Sequence, residues 1–343
     1  MYSPCVYREQ LNQLGKQGTP FICLLDFENT HPQVWPLDSI DSDTVMYSTP
    51  LGTNCNSCCQ SHVPVTDTPR IQTLKPLPRA VYRQGFSCIQ AGQMRGESFL
   101  ANLTYAIPID LQGTLAQVYH HSHAAFKLHW KDHFTVFSPE AFVELHDDTI
   151  TTRPMKGTLA AIEPQADQKL MQNEKEAAEH LTVVDLLRND LGSIAKNVRV
   201  EKYRYLERIH SEDGDIWQTS SKISAQIPTN WRDKIGDMLF SILPAGSISG
   251  APKKRTLELI TEAEPEARGY YTGVFGHFTG EKFISAVMIR FIEARAGGLP
   301  DNPLLPHLRF RTGGGITVYS REQDEYDELY AKIKIPSRKP MLS

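Results

Sequence analysis

Short apolar runs alternate along the chain with longer stretches of helical period. The runs FICLLDF at 21–27, FTVF at 134–137 and VMIRF at 287–291 have the length and composition of buried strands. The helical stretches between them lack the regular strand–helix–strand spacing that accompanies a parallel sheet. The pattern therefore predicts an α+β fold.

Residues 175–192 have the periodicity of an amphipathic helix, and Gly192 stands where glycine commonly ends one. The apolar positions are Ala177, Leu181, Val184, Leu187 and Leu191. In this register Glu176 and Glu179 lie one turn apart on a shared face.

A second helix is predicted over 321–333, with an apolar side formed by Tyr326, Leu329, Tyr330 and Ile333. Glu325, Glu328 and Lys332 follow one another along its other side. If the two helices face each other, their carboxylates form a hard oxygen site that suits Mg²⁺. Taken singly, each carboxylate pair is equally typical of a solvated helix face.

Glu140 and Lys156 flank a predicted pair of strands that turns near 146–148. Such a hairpin could bring both side chains to one wall of a cavity, where a carboxylic acid moves protons and an amine attacks. The alternative is a solvated cross-strand ion pair, which is the commoner arrangement.

The stretch LPAGSISGAPKKRTLELI at 243–260 predicts a loop of small residues that leads into a helix at Pro252. Free backbone N–H groups at such a helix start favour an anion. The spacing of Gly246, Gly250 and Lys253 does not match the phosphate loop of nucleoside triphosphatases, so an ATPase is excluded.

Three successive glycines, Gly313, Gly314 and Gly315, allow either a bulge or turn, or a close approach of backbone N–H groups to a ligand carboxylate. A hairpin is predicted to turn at 279–282. Strand alternation beyond it puts Arg290 on the side of Ile284, Ala286 and Met288. A buried arginine there would need an anion.

Composition narrows the possible partners. The chain has 343 residues and a formal net charge of −4, so it has no positive field for nucleic acid or an anionic membrane. The apolar runs are far shorter than a membrane span, and the first residues do not read as a secretory signal. We expect a cytoplasmic protein that binds neither nucleic acid nor a membrane.

A cluster of cysteines, Cys55, Cys58 and Cys59, is followed by His62 and has the ligand types of a zinc site. The surrounding residues are turn formers and polar side chains. We therefore interpret the segment as a surface loop with free thiols.

Eight motifs occur in one order: SPEAF, RPMKGT, AAEHLTVVDLLRNDLG, LPAGSISGAPK, YYTGVFG, AVMIRF, GGGIT and EYDELYAKI. Together they resemble the chorismate-utilising enzymes over about 95–335, and within them component I of the aminodeoxychorismate synthases. The resemblance implies an anthranilate-synthase-component-I-like fold, with large antiparallel β-sheets packed face to face and helices outside. We expect a single domain over 1–343, with a short N-terminal part over about 1–90.

The resemblance also implies roles for side chains. Two acidic pairs would hold Mg²⁺ on the ring carboxylate of chorismate, and a second group would hold the side-chain carboxylate, with Lys332 near the metal-bound end. The metal ligands are Glu176, Glu179, Glu325 and Glu328, and the substrate-binding residues are Arg290, Tyr271, Gly313, Gly314, Gly315, Ser249 and Lys332.

Lys156 distinguishes the branches of this family. Members that add ammonia or water at ring carbon 2 lack this lysine, whereas aminodeoxychorismate synthases resemble the chain in having it. In the implied mechanism the neutral amine attacks carbon 2, the carbon 4 hydroxyl leaves with a proton from Glu140, and ammonia replaces the lysine. The amine must then have a lowered pKa, through burial or a neighbouring cation.

The chain departs from the family at WQTSSKIS, where Gln218 and Lys222 replace a usual histidine and threonine. It shows no nucleophilic cysteine motif of a glutaminase, so we expect ammonia from a separate glutamine amidotransferase subunit. The prediction is amination of chorismate to 4-amino-4-deoxychorismate for para-aminobenzoate and folate synthesis. Anthranilate synthase, isochorismate synthase and a non-catalytic anion-binding relative are the alternatives.

Overall fold

Two antiparallel β-sheets organise the chain in the computed structural model, which describes residues 4–55, 68–209, 214–294 and 308–336. The strands are β1 (Phe21–Leu25), β2 (Gln33–Pro36), β3 (Val45–Thr49), β4 (Gly52–Thr53), β5 (Arg70–Leu74), β6 (Leu100–Gln112), β7 (Phe126–Trp130), β8 (Phe134–Ser138), β9 (Ala141–His146), β10 (Thr149–Thr152), β11 (Met155–Ala160), β12 (Lys196–Ile209), β13 (Ile216–Gln226), β14 (Gly250–Ala251), β15 (Val274–Phe278), β16 (Phe283–Val287), β17 (Phe291–Ala294) and β18 (Leu308–Ile316). The α-helices are α1 (Pro4–Gln17), α2 (Arg79–Met94), α3 (Leu115–His121), α4 (Ala166–Gln172), α5 (Glu174–Gly192), α6 (Ile235–Ile242), α7 (Gly246–Ser249), α8 (Lys253–Ala263) and α9 (Glu322–Ala331).

Each sheet has nine strands in the described part of the chain. Sheet A has the order β11-β13-β10-β9-β16-β15-β1-β2, and β12 also pairs with β13. Sheet B has the order β14-β6-β18-β17-β8-β7-β3-β4, and β5 also pairs with β6. Strands β1, β3 and β5 from the N-terminal part pair with later strands of both sheets. The assignment of the whole chain to one domain stays a prediction.

The hydrophobic core lies in three layers. Alternation along β1 sends Ile22 and Leu24 into a cluster that also contains Leu128 and Phe134 of sheet B. Phe21, Cys23 and Leu25 point the other way and pack with residues of α1, α5 and α6. The outer face of sheet B packs against α2, α8 and α9. The predicted α+β fold, with two sheets face to face and helices outside, is confirmed.

The predicted helices and hairpins are present with small differences. Helices α5 and α9 match the two predicted helices, and hairpins form at β9–β10 and β15–β16. Of the predicted apolar positions of α5, Val184, Leu187 and Leu191 are buried, whereas Leu181 is 57% exposed.

The strand predicted at VMIRF is wrong. Strand β16 ends at Val287, β17 begins at Phe291, and Arg290 between them has the left-handed backbone angle φ of 56°. Strand alternation therefore does not set the direction of the Arg290 side chain. The chain crosses here from sheet A to sheet B.

None of the helices in the described ranges combines the length and apolar character needed to cross a bilayer. Of the cysteine cluster, Cys55 is half-buried, while Cys58, Cys59 and His62 lie outside the described residues. The zinc and free-thiol interpretations of that segment stay predictions.

Candidate active site

A cavity of about 640 Å³ opens where residues of both sheets meet α5, α7 and α9. We call it the central cavity. Its wall includes residues of β11, β18, α5 and α9 that lie far apart in the sequence. Of the predicted site residues, those that line it are Glu140, Lys156, Glu176, Glu179, Tyr271, Arg290, Gly313, Gly314, Gly315, Glu328 and Lys332.

Lys156 reaches the central cavity from β11, which pairs with β13 rather than with the β9–β10 hairpin. The expected hairpin pairing of Glu140 with Lys156 is therefore wrong, although both line the same cavity. The Lys156 Nζ donates to Glu179 Oε2 at 3.2 Å. Its carbonyl accepts a hydrogen bond from the Thr219 hydroxyl of β13, which holds the backbone of the lysine in place.

The charge environment of Lys156 differs from the expected one. Burial acts to lower the pKa of Lys156, but the carboxylates of Glu179, Glu176 and Glu140 outweigh it, so the pKa lies above its ordinary value. The expectation of a lowered pKa is therefore wrong for the protein without ligands. The amine is held as an ammonium by its acidic neighbours.

Glu140 directly precedes β9, and its Oε1 accepts a hydrogen bond from the Ser247 hydroxyl at 3.4 Å. Burial raises the pKa of Glu140 above the usual range of a glutamate, against the lowering effect of Lys156 and the hydroxyl. A raised pKa keeps a carboxyl protonated at higher pH, which suits a proton donor.

The acidic residues lie on two sides of the central cavity. Glu176 and Glu179 belong to α5, whose first turn is capped by the Asn173 side chain, and Glu328 belongs to α9. Glu325 is 7% exposed and lines an adjoining cavity of about 790 Å³ that shares Lys156 and Glu179 with the first. The expected sharing of a face by Glu176 and Glu179 is correct.

Two glycines leave room beside these carboxylates. A Cβ at Gly157 would lie 3.0 Å from Glu176 Oε2, and one at Gly314 would lie 3.6 Å from Glu325 Oε2 and 3.9 Å from Glu328 Oε1.

Within the described ranges, three or more acidic, histidine or cysteine side chains do not gather closely enough to surround a metal ion. Mg²⁺ needs only one or two protein carboxylates beside water and substrate oxygens, so the donor set fits it.

Lys332 connects α9 to β18. Its Nζ donates to Glu328 Oε1 at 2.8 Å and to the Gly313 carbonyl at 2.7 Å. The Arg290 guanidinium donates to the Lys332 carbonyl, and burial lowers the pKa of Arg290. Two positive side chains therefore stand next to the glycine run.

The glycine run forms part of β18, so of the two alternatives the bulge or turn is wrong. Gly313 pairs with Thr104 of β6, and Gly315 pairs with Asn102. The Thr104 N–H donates to Glu264 and the Asn102 carbonyl accepts from Arg268, so both groups point away from β18. In an antiparallel pair the facing residues then turn their own N–H and C=O groups outward, toward the central cavity.

Ser249 does not line the central cavity. It is fully buried in α7, and its hydroxyl donates to the Ala245 carbonyl at 2.9 Å. Ser247, two residues earlier in α7, lines the cavity instead, because two residues along a helix turn the side chain by about 200°. The predicted position of Ser249 in the cavity wall is therefore wrong, and Ser247 occupies that wall.

Of the remaining motif residues, some line the central cavity and others do not. Tyr271 is buried in the wall, and burial raises the pKa of its hydroxyl. Gln218 lines the cavity and donates to the Ser220 hydroxyl at 3.3 Å. Lys222 pairs with Glu201 at 2.5 Å and does not line the cavity, so only one of the two departures touches the site.

The wall residues that sequence reasoning missed include Asn102, Ser247 and Arg311. Arg311 is 5% exposed and donates to Glu293 at 2.7 Å. It lies two residues before the glycine run, so a search for charged residues close to that run could have found it. For Asn102 no local signal exists, since it lies in an ordinary strand.

The central cavity collects lysines, two arginines, backbone N–H groups and several carboxylates, a combination that suits a small polyanion and a divalent cation. The family of chorismate-binding enzymes matches residues 51–338. The chain therefore belongs to the chorismate-binding enzyme family, whose members use chorismate.

Individual proteins are also similar to this chain in sequence or structure. An uncharacterised PabA-like protein of Haemophilus influenzae is 44% identical over 96% of this chain and 95% of its own length. Aminodeoxychorismate synthase component 1 of Salmonella typhimurium is 33% identical over 75% of this chain, which spans 57% of that enzyme. Anthranilate synthase component I of Streptococcus pneumoniae has the same fold, with 25% identity and a TM-score of 0.65 over 82% of this chain and 64% of that one.

Proposed function

We propose that this protein aminates chorismate with ammonia to give 4-amino-4-deoxychorismate, the precursor of para-aminobenzoate. The observation that carries the proposal is the amine of Lys156 in the central cavity, between the wall of Glu140 and the carboxylates of α5. Similarity to aminodeoxychorismate synthases over much of the chain supports the same reaction.

Chorismate carries two carboxylates, and the cavity has groups for both. Arg290, Tyr271 and the outward N–H groups of Gly313 and Gly315 would bind the side-chain carboxylate, because charged and backbone donors converge there. Lys332 lies between these donors and Glu328. The ring would then lie between β18 and Lys156.

Glu179 and Glu328, assisted by Glu176 and Glu325, would hold Mg²⁺. When bound, the ion would neutralise the ring carboxylate of chorismate and the Glu179 carboxylate that otherwise pairs with Lys156. Lys156 would then lose its main anionic partner while staying in a desolvated wall. Both changes favour the neutral amine that attack requires.

In the proposed reaction Lys156 forms and breaks the covalent bond to the ring, and Glu140 donates and accepts the protons. The Lys156 amine bonds to ring carbon 2, the ring double bonds shift, and the carbon 4–oxygen bond breaks as Glu140 donates its proton, so water leaves. Glu140, now a carboxylate, accepts a proton from the substituted Lys156 nitrogen. Ammonia then bonds to carbon 4, the double bonds shift back, and the carbon 2–nitrogen bond breaks as Glu140 returns its proton to the leaving Lys156 nitrogen. The new ammonium at carbon 4 then gives a proton back to Glu140, which leaves the neutral Lys156 amine and the aminated product.

Ammonia has to be supplied. We propose that a separate glutamine amidotransferase subunit delivers it, and that the reaction takes place in the cytoplasm. The chain alone should then use ammonium salts, with higher turnover at higher pH because more free ammonia is present.

The test incubates the purified chain with chorismate, Mg²⁺ and ammonium, and identifies the ring product by chromatography and mass spectrometry. We expect 4-amino-4-deoxychorismate, no turnover after chelation, and recovery when Mg²⁺ is restored. Anthranilate, isochorismate or a complete lack of turnover with Mg²⁺ present would each overturn the proposal. Glutamine with a candidate amidotransferase should replace ammonium at neutral pH.

A further inference from the structure

A buried ion pair lies behind the wall of the central cavity and does not line it. Arg268, between α8 and β15, has a side chain 1% exposed, and Glu264 at the end of α8 has one 4% exposed. Arg268 Nε and Nη2 donate to the Glu264 carboxylate at 2.9 and 2.6 Å, a bidentate arrangement. The guanidinium also stacks on Phe27, 4.3 Å from the ring centroid.

The remaining donors of Arg268 go to three separate segments of the cavity wall. Nη2 donates to the Asn102 carbonyl of β6 at 2.6 Å. Nη1 donates to the Ile248 carbonyl of α7 at 3.1 Å and to the Thr272 hydroxyl at 3.3 Å. Asn102, Ile248 and Thr272 all line the central cavity. One side chain therefore joins parts of the wall that do not follow one another in the sequence.

Glu264 adds a fourth attachment, since its Oε1 accepts from the Thr104 N–H at 2.9 Å. On this edge β6 pairs with β14 at Leu100 and Ala101 and with β5 from Ile109 onward. The ion pair thus binds two backbone groups of β6, the Asn102 carbonyl and the Thr104 N–H, which lie between the stretches that pair with β14 and β5 in the described part of the chain. Their opposite residues on β18 are Gly313 and Gly315.

We propose that Arg268, held by Glu264, is a positioning residue that sets the substrate-binding wall of the central cavity. By binding the Asn102 carbonyl and the Thr104 N–H on one side of β6, the pair maintains the pairing in which Gly313 and Gly315 turn their N–H groups to the cavity. Only an arginine reaches all of these acceptors, because its donors fan out in a plane. The proposal rests on the chorismate-binding role of this cavity in the proposed function.

The test compares two variants with the native protein. In Arg268→Lys the charge stays, but a single ammonium cannot contact three wall segments. In Arg268→Met/Glu264→Gln both charges are removed together, so no unpaired charge remains buried. Arg255→Met is the matched control, because Arg255 of α8 pairs with Glu97, Glu258 and Glu262 outside the cavity.

Chorismate consumption is measured with saturating Mg²⁺ and ammonium, and folding is followed by circular dichroism and thermal melting. We expect folded variants whose KM for chorismate rises at least ~10-fold, while the control stays within ~2-fold. A purely structural role would lower the amount of active protein, and hence apparent kcat, without changing KM.

An unchanged KM in the folded variants would overturn the proposal. Failure of both variants to fold would assign the pair to folding alone and would overturn it as well. Consumption of chorismate is counted whatever the ring product is, so this result does not depend on amination. The product identified in the same reactions tests the proposed function separately.

Discussion

Lys156 illustrates how neighbouring charges set the chemistry of a single residue. Its motif places it in the site, but Glu179 at 3.2 Å keeps it an ammonium in the protein without ligands. A lysine that stays charged until Glu179 is neutralised would react only when the metal ion and chorismate are both bound. Substitution of Lys156 therefore tests the proposed mechanism directly.

Lys156→Ala should lower kcat for chorismate amination at least ~10²-fold, since loss of a nucleophile is not compensated by binding. Steady-state kinetics with ammonium checks this. Lys282→Ala is the control, because Lys282 pairs with Glu144 outside the central cavity. A rate for Lys156→Ala close to that of the control would remove the lysine from the mechanism.

Glu140 should impose a decline of kcat at high pH. Burial raises its pKa, so the carboxyl stays protonated beyond the usual range and loses its proton, with activity, as the pH rises through the raised value. Glu140→Gln should lower kcat at least ~10²-fold across the profile. Glu144→Gln on the adjoining strand β9 should leave the profile intact.

If Glu140→Gln kept the native pH profile and rate, Glu140 would not be the proton donor. The profile is measured at saturating free ammonia, calculated for each pH, so that ammonium ionisation does not enter it.

At the scale of elements, β18 supplies backbone that faces the central cavity, and its pairing with β6 leaves no room for a side chain at Gly313. A Cβ at Gly313 would lie 2.6 Å from the Leu103 carbonyl oxygen. Backbone oxygen cannot move away without shifting the strand. Strand packing therefore requires a glycine at position 313.

Gly313→Ala should raise KM for chorismate at least ~10-fold and destabilise the fold by about 1–3 kcal/mol, because the added methyl overpacks the β6–β18 pair. Kinetics and urea unfolding measure the two effects. Gly192→Ala at the end of α5 is the control, since a Cβ there meets no atom within 4 Å. Equal behaviour of the two variants would show that β18 accepts a side chain at this position.

At the scale of the whole molecule, histidines buried in the sheets make stability depend on pH. His129 and His277 are 7% and 3% exposed, and burial lowers the pKa of each to about 4. The unfolded chain binds these protons below about pH 6.5, whereas the folded chain binds them only below about 4. Their stabilising contribution is therefore complete above pH 6.5 and is lost as the pH falls toward 4.

As the pH falls from 6.5 to 4, each of these histidines should lower the free energy of unfolding by up to about 3 kcal/mol, or about 1.4 kcal/mol per pH unit. Urea midpoints between pH 7 and 4.5 measure the decline. His129→Gln should be less stable than the native protein at pH 7 but should decline less steeply with acid. The exposed His146→Gln should follow the native slope, and identical slopes for all three proteins would contradict the assignment.

Part of the site could be predicted because its signals are local. The period of α5 brings Glu176 and Glu179 to one face, and the glycine run stands out in any context. The positions of Arg290, Ser249 and Arg268 could not be predicted. Arg290 has a left-handed backbone conformation between two sheets, and the direction of Ser249 depends on the rotation of a short helix. The position of Arg268 depends on contacts among three segments that are distant in the sequence.

The amino-acid sequence by itself determined the α+β class, the two acidic helices, the hairpins and the set of motif residues, because periodicity and turn chemistry act over a few neighbouring residues. Tertiary structure alone decided that β11 pairs with β13 to bring Lys156 beside Glu179, and that Ser247 rather than Ser249 faces the cavity. It also decided the charge on the lysine. Contacts between residues far apart in the chain arise from sheet pairing and packing, and no local pattern specifies them.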